Sequence, residues 1–222
     1  MPSPADQLRF FNAREEIERH RTVLPHWEQP GATYFVTFRL GDSIPQTKLD
    51  AWNAERDQWL AMHPQPWSEE DEAEYHSRFS ATIERWLDRG HGACVLGDSR
   101  AAEIVGLSLQ HFEGRRCAQH GFVIMPNHVH ALFTVLNGHS TEELLHSWKS
   151  YSAHAINKLR GTAGCLWQRD YFDRMIRDSG HFWNCARYIR RNPVKAGLKA
   201  GQYLLFEAEW VKTWLDADSE PG

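Results

Sequence analysis

The sequence is poor in cysteine and has no long apolar run. Its four cysteines, Cys94, Cys117, Cys165 and Cys185, are far apart and form no Cys-x-x-Cys pair, which argues against a structural zinc site and against a disulfide framework. They read as reduced, structural residues. No apolar stretch approaches the roughly 20 residues needed to span a bilayer. The first residues, Met1-Pro2-Ser3-Pro4-Ala5-Asp6, offer neither a basic start nor an apolar signal core. The expectation is a cytoplasmic protein with no membrane partner. Repeats and low-complexity tracts are also missing. With 222 residues, 41% of them apolar, the chain can bury one sizeable core, so residues 1–222 are expected to form a single domain with elaborations.

An overall basic excess is lacking too, since the formal net charge is −4. Divided along the chain, the charge becomes informative. From Gly41 to Gly90 acids dominate, with a cluster at Glu69, Glu70, Asp71, Glu72 and Glu74. From Lys149 to Lys199 the balance reverses: Lys149, Lys158, Arg160, Arg169, Arg174, Arg177, Arg187, Arg190, Arg191, Lys195 and Lys199 face only Asp170, Asp173 and Asp178. A local basic excess favours an anionic partner such as a phosphate backbone, a solvated helix face being the common alternative.

What is present is a run of strand and helix signals. Residues 1–23 are charged with few apolar anchors and read as a peripheral helix or flexible arm. A turn at Trp27-Glu28-Gln29-Pro30-Gly31 leads into Ala32-Thr33-Tyr34-Phe35-Val36-Thr37-Phe38-Arg39-Leu40, whose β-branched and aromatic content predicts the first strand of a sheet. Between about 44 and 113 the period becomes helical, through Leu49, Trp52, Trp59 and Leu60, then Tyr75, Phe79, Ile83, Trp86 and Leu87. Ser68-Glu69-Glu70-Asp71 predicts a helix start. The aromatic stripe is most simply core packing. A further helix is expected from Ser99 to about Phe112, and another from the cap-like Ser140-Thr141-Glu142-Glu143 to about Leu159. Residues 166–177 read as loop then strand. Residues 179–192 read as a helix stopped or bent by Pro193, followed by a C-cap at Gly197.

The stretch that organises the rest is Gly121-Phe122-Val123-Ile124-Met125-Pro126-Asn127-His128-Val129-His130-Ala131-Leu132-Phe133-Thr134-Val135-Leu136. Two short apolar runs joined by Pro-Asn predict two strands and a tight turn. Strand alternation then puts the imidazoles of His128 and His130 on one face, where they can chelate a metal. Thirteen histidines in the chain make a chance His-x-His pair plausible, but two buried imidazoles without partners would be costly. On the helix before Pro193, Tyr188 and Asn192 are four residues apart and share a face. If that face packs beside the histidines, Asn192 becomes a third ligand and Tyr188 a phenol beside the metal. A core tyrosine and a capping asparagine are the structural alternatives.

Met125-Pro126-Asn127-His128-Val129-His130, followed by Tyr188-Ile189-Arg190-Arg191-Asn192-Pro193-Val194-Lys195-Ala196-Gly197, resembles the HUH single-tyrosine transposases, and within them the REP-associated tyrosine transposases. The resemblance extends through residues 24–38 and 167–173. It implies an α+β, ferredoxin-like antiparallel sheet with packed helices; the segment from about 44 to 113 then becomes a helical insertion after the first strand. It also puts the metal ligands at His128, His130 and Asn192, and the nucleophile at Tyr188. The tail, 199–222, matches only loosely.

The activity implied is metal-dependent cleavage and rejoining of single-stranded DNA through a 5′-phosphotyrosine. The implied substrate is a hairpin-forming, palindromic element. An amide ligand and open positions for phosphate oxygens favour Mg2+ or Mn2+ over zinc. Arg187, Arg190, Arg191 and Lys195 are the expected DNA-binding cations, with Trp27 as a partner for unpaired bases. Two rivals stand beside this: a domesticated DNA-binding protein that does not cut, and a metal-dependent hydrolase using water, which would leave Tyr188 without a role.

Overall fold

The computed structural model describes residues 8–12, 18–21, 25–64, 67–136 and 138–218. Its centre is a five-stranded antiparallel sheet. The apolar runs of the sequence supply the three inner strands, β3 (Thr33–Arg39), β4 (Cys117–Ile124) and β5 (His128–Val135). These strands are apolar on both sides because both faces of the sheet are covered. β4 and β5 form the expected hairpin, turning at Met125–Asn127 and closed by Met125 N–H donating to the His128 carbonyl at 2.9 Å.

The crossovers follow the sequence signals. α4 (Ser99–Gln110) leads from β3 to β4, and α5 (Thr141–Arg160) leads from β5 to β6 (Phe172–Met175), which pairs with β3. α5 starts at a complete capping box, in which Ser140 and Glu143 each satisfy the other's backbone N–H, a device of about 1 kcal/mol. Counting β3, β4, β5 and β6 as the four strands of a β-α-β-β-α-β unit gives the spatial order fourth, first, third, second. The fold is therefore ferredoxin-like, as the resemblance implied. α4 and α5 share one face of the sheet, where Val105, Leu109, Leu144 and Trp148 meet Val36, Phe38, Phe122 and Phe133.

The opposite face carries α6 (Ser179–Lys195), whose Phe182, Ala186 and Ile189 pack on Phe35, Val123 and Leu132. Strand alternation places Thr37, His128 and His130 on this same face. The helical insertion comprises α1 (Gln46–Met62), α2 (Glu69–Tyr75) and α3 (Ala81–Asp88). α2 and α3 are joined by a π-helical turn, His76–Ser80. The aromatic stripe forms the insertion's own core, with Trp52, Trp59, Phe79, Ile83 and Leu87 buried together. Phe172 of β6 reaches this core edge-on to Trp52, so the insertion lies against the sheet on the α6 side.

Two expectations need correction. Glu18–Arg21 is not helical: it is a strand, β1, paired with β2 (Pro25–Glu28) in a separate two-stranded ribbon. α6 is not stopped at Asn192. It runs through Pro193 to Lys195, because a proline in the last turn forfeits a single hydrogen bond and the chain leaves the helix two residues later. The C-terminal segment, for which the resemblance implied no structure, is folded onto the rest. β7 (Leu204–Glu207) adds a fifth strand beside β4, and α7 (Glu209–Asp218) buries Val211 and Leu215 against α6. Among the described residues no helix is long and apolar enough to cross a membrane.

Candidate active site

His128 and His130 lie at the start of β5 and are 1% and 0% exposed. Their Nε2 atoms approach to 3.1 Å. Each Nδ1 has its own partner: Asn127 Oδ1 at 2.7 Å for His128, and Thr37 Oγ1 at 2.7 Å for His130. Phe35 stacks on the His130 ring at a centroid distance of 5.5 Å. Burial, with Lys195 nearby, lowers the His128 pKa to about 3. His130 is held well below the ordinary range by burial, by His128 and by Lys195 and Arg174. Both imidazoles are thus neutral at pH 7, the form in which they ligate metals.

α6 delivers the other half of the site. The Tyr188 ring stands edge-on to His130 at 5.1 Å and to Phe35 at 5.8 Å. Its hydroxyl is buried and faces the Glu84 carboxylate, but it makes no hydrogen bond of good geometry among the described residues. Burial raises the phenol pKa strongly, and the carboxylates of Glu84 and Asp88 add to the effect. One turn on, Asn192 is 1% exposed and both polar atoms of its amide lack a partner. A buried primary amide with neither end satisfied costs a few kcal/mol. His128, His130 and Tyr188 are therefore brought together, and Asn192 is buried one helical turn from Tyr188 on α6.

These residues fit a divalent ion. Two Nε2 atoms 3.1 Å apart can both reach one ion at about 2.1 Å per bond, and the orphaned Asn192 oxygen is the donor on α6 that could serve as a third ligand. Among the described residues no group of three His, Cys, Asp or Glu side chains could hold a metal.

The insertion forms a wall that sequence reasoning missed. α3 presents Glu84 and Asp88, one turn apart, toward Tyr188. Asp88 pairs with Lys195 at 3.0 Å, and Lys195 lies 5.6 Å from the centre of the Tyr188 ring. Glu84 faces Arg174 of β6 at 3.7 Å. Burial raises the Glu84 pKa, opposed by Arg174 and Lys195. Nothing in the spacing of Glu84 and Asp88 marks them within an acidic helix. Thr37 had a signal, as a lone hydroxyl among apolar neighbours, and so did Asn127, beside the histidine pair.

The proposed DNA-binding cations are only partly free. Arg190 is clamped by Glu207, with Nε 2.7 Å and Nη2 2.8 Å from the two carboxylate oxygens, and by Asp216 at 2.8 Å. Arg187 pairs with Asp218 at 2.9 Å and lies over Trp214. Both serve to dock the C-terminal segment. Arg191 is exposed and has no ion-pair partner among the described residues, and Lys195 is half exposed beside Asp88. Trp27 belongs to β2 opposite Arg19, and its side chain lies outside the described residues.

A sequence profile described as "Transposase IS200 like" matches residues 98–192. This segment, somewhat under half of the chain, is similar to the IS200-like transposases. The matched segment runs from the start of α4 to Asn192 and so contains both histidines, the tyrosine and the asparagine. Thr37, α3 and Lys195 lie outside it. No curated protein matches the chain. Among solved structures the chain is similar to a REP-associated tyrosine transposase bound to a REP hairpin, with 17% identity and a TM-score of 0.42 over 82% of this chain and 75% of that one.

Proposed function

We propose that this protein is a transposase of the IS200-like kind, which cleaves and rejoins single-stranded DNA through Tyr188. One observation carries the reading: the buried Tyr188 phenol stands 5.1 Å ring to ring from His130, whose Nε2 converges with that of His128. Tyr188 attacks the scissile phosphorus, forming a 5′-phosphotyrosine and releasing a 3′-hydroxyl. Because the phosphodiester energy is kept in the tyrosyl ester, a 3′-hydroxyl from another strand reverses the attack and rejoins DNA without ATP. His128, His130 and Asn192 would hold the divalent ion, Mg2+ or Mn2+ by donor type. When bound, that ion supplies Lewis-acid polarisation of the phosphate and a positive field that eases loss of the phenolic proton.

The rest follows from the chain itself. Neutral imidazoles and a neutral phenol leave the centre of the site uncharged, while Lys195 and Arg174 at its margin attract phosphate and their α3 carboxylates hold them in place. The substrate we infer from the resemblance in residues 125–130 and 188–197 is a single-stranded hairpin with an unpaired flank. Phosphate contacts to the stem fix position, and exposed bases of the flank carry identity.

The deciding experiment is covalent trapping. The wild-type protein incubated with 5′- or 3′-labelled hairpin DNA and Mn2+ should give a denaturation-resistant adduct retaining the fragment 3′ of the cut. Tyr188→Phe, which removes only the hydroxyl and keeps the ring, should fold normally, bind DNA and give none. An adduct from the Phe variant would move the nucleophile elsewhere. Cleavage without any adduct in the wild type would favour water as the attacking group.

A further inference from the structure

The amide of Asn127 can face only one way. Its Nδ2 donates to two main-chain carbonyls of the insertion, Leu87 O and His91 O, at 3.2 Å each, and an amide oxygen in that position would meet two acceptors. Oδ1 therefore points at His128 Nδ1, 2.7 Å away. A carbonyl oxygen only accepts, so His128 Nδ1 carries the ring proton, and in the neutral imidazole Nε2 keeps its lone pair. Nε2 is the atom that converges with His130.

His130 is under no such constraint. Its Nδ1 meets the Thr37 hydroxyl at 2.7 Å, which can donate or accept. With Thr37 donating, His130 Nε2–H can donate across the 3.1 Å gap to His128 Nε2; with the hydroxyl turned, His130 offers a lone pair as well. One imidazole of the pair is fixed and the other adjusts.

The carbonyls that hold Asn127 are themselves held. Leu87 lies in the last turn of α3. The loop after it is tied back to the end of β3: Ala93 N–H donates to Asp42 Oδ2 at 2.8 Å. Gly92, at φ +89°, packs so closely that a Cβ would meet the Asp42 carbonyl oxygen at 2.7 Å. Asn127 is 1% exposed. It thus joins a rigid edge of the insertion to a buried imidazole with no solvent between them.

We propose that Asn127 is a positioning residue with two tasks: it fixes His128 in the Nδ1–H form, with the Nε2 lone pair directed into the site, and it latches the end of α3 to that imidazole. The insertion is thereby coupled to the metal position, and by reciprocity an ion bound there steadies the end of α3. The coupling rests on the ligand role given to His128 above, whereas the tautomer does not.

The test uses the full chain with 15N-labelled histidine, Mn2+ as the probe, and two variants checked by thermal melting. Metal-free wild type should show His128 as the Nδ1–H tautomer, and Asn127→Ala should lose that signature. Calorimetric titration should give Asn127→Ala a Kd for Mn2+ weaker by about 10–100-fold. Asn127→Asp keeps an acceptor toward His128 and should bind Mn2+ no more weakly than wild type. It loses the donors toward α3, so Mn2+ should slow hydrogen exchange over residues 83–91 in wild type but not in this variant. An Nε2–H His128 in the wild type would overturn the proposal. So would wild-type Mn2+ affinity in a folded Asn127→Ala, or equal losses in both variants, which mark a packing role alone. Failure of the wild type to bind Mn2+ would sink the metal reading and leave the positioning role to be decided by the tautomer.

Discussion

The Nε2 atoms of His128 and His130 lie 3.1 Å apart with both rings enclosed. Two buried nitrogens at that separation share a proton or converge on a cation, because two bare lone pairs facing each other repel. A ligand that binds only the folded chain stabilises it by RT ln(1 + [L]/Kd), about 2.7 kcal/mol at 100 times Kd. Mn2+ should therefore raise the melting temperature of the wild type, EDTA should remove the increase, and His130→Ala should show none. Melting curves that coincide in Mn2+ and EDTA would contradict a metal at this pair.

Tyr188 meets His130 within one chain, so the site proposed here needs no residue from a second molecule. Cleavage per molecule should not fall on dilution. A mixture of His130→Ala and Tyr188→Phe proteins, each inactive alone, should stay inactive. Recovered activity in the mixture would mean that the tyrosine works on a neighbour's histidines.

Arg190 and Arg191 are adjacent in sequence and opposite in role. Arg190→Ala strands the carboxylate of Glu207, which is only 10% exposed, and should lower stability by about 1–3 kcal/mol. Arg191→Ala should leave stability unchanged while weakening DNA binding across sequences and flattening its salt dependence by about one unit of log–log slope. Chemical denaturation and binding titrations at several salt concentrations measure the two effects.

His120 sits in the bulge of β4, where its Nε2 bonds to Thr134 Oγ1 at 2.8 Å and its ring meets Phe182 and Trp210. Burial lowers its pKa from 6.5 to about 3. Between those values the unfolded chain binds a proton that the folded chain refuses, so stability rises with pH there and is lost as pH falls. His120→Gln should make the stability curve shallower over pH 3–6.5, by up to about 1.4 kcal/mol per pH unit. An unchanged slope would mean that His120 is protonated in the folded protein.

Much of this was legible in the sequence where local chemistry and tertiary packing agree. The three inner strands, the Pro-Asn turn and the caps at Ser68 and Ser140 each carry their own signal. The histidine pair follows from strand alternation, and Tyr188 with Asn192 from helical spacing. What escaped depends on distant partners. Arg187 and Arg190 read as a cationic face because their acids, Asp218, Glu207 and Asp216, come from a segment with no motif. Glu84 and Asp88 are ordinary acids until α3 is laid beside α6. The strand at Glu18–Arg21 is a charged run that takes its conformation from the pairing with β2.

β7 has a consequence for biosynthesis. It is the outermost strand on the β4 side, pairing from Gly121 to Ile124, and it is translated after every other strand of the sheet. Until residues 204–207 leave the ribosome, that border of β4 has backbone donors and acceptors facing outward, the template on which strands from other molecules add. Premature termination anywhere between Lys195 and Leu204 would yield chains that carry all four site residues and yet aggregate through an open sheet border. A shortened protein meant to isolate the catalytic core should therefore keep β7.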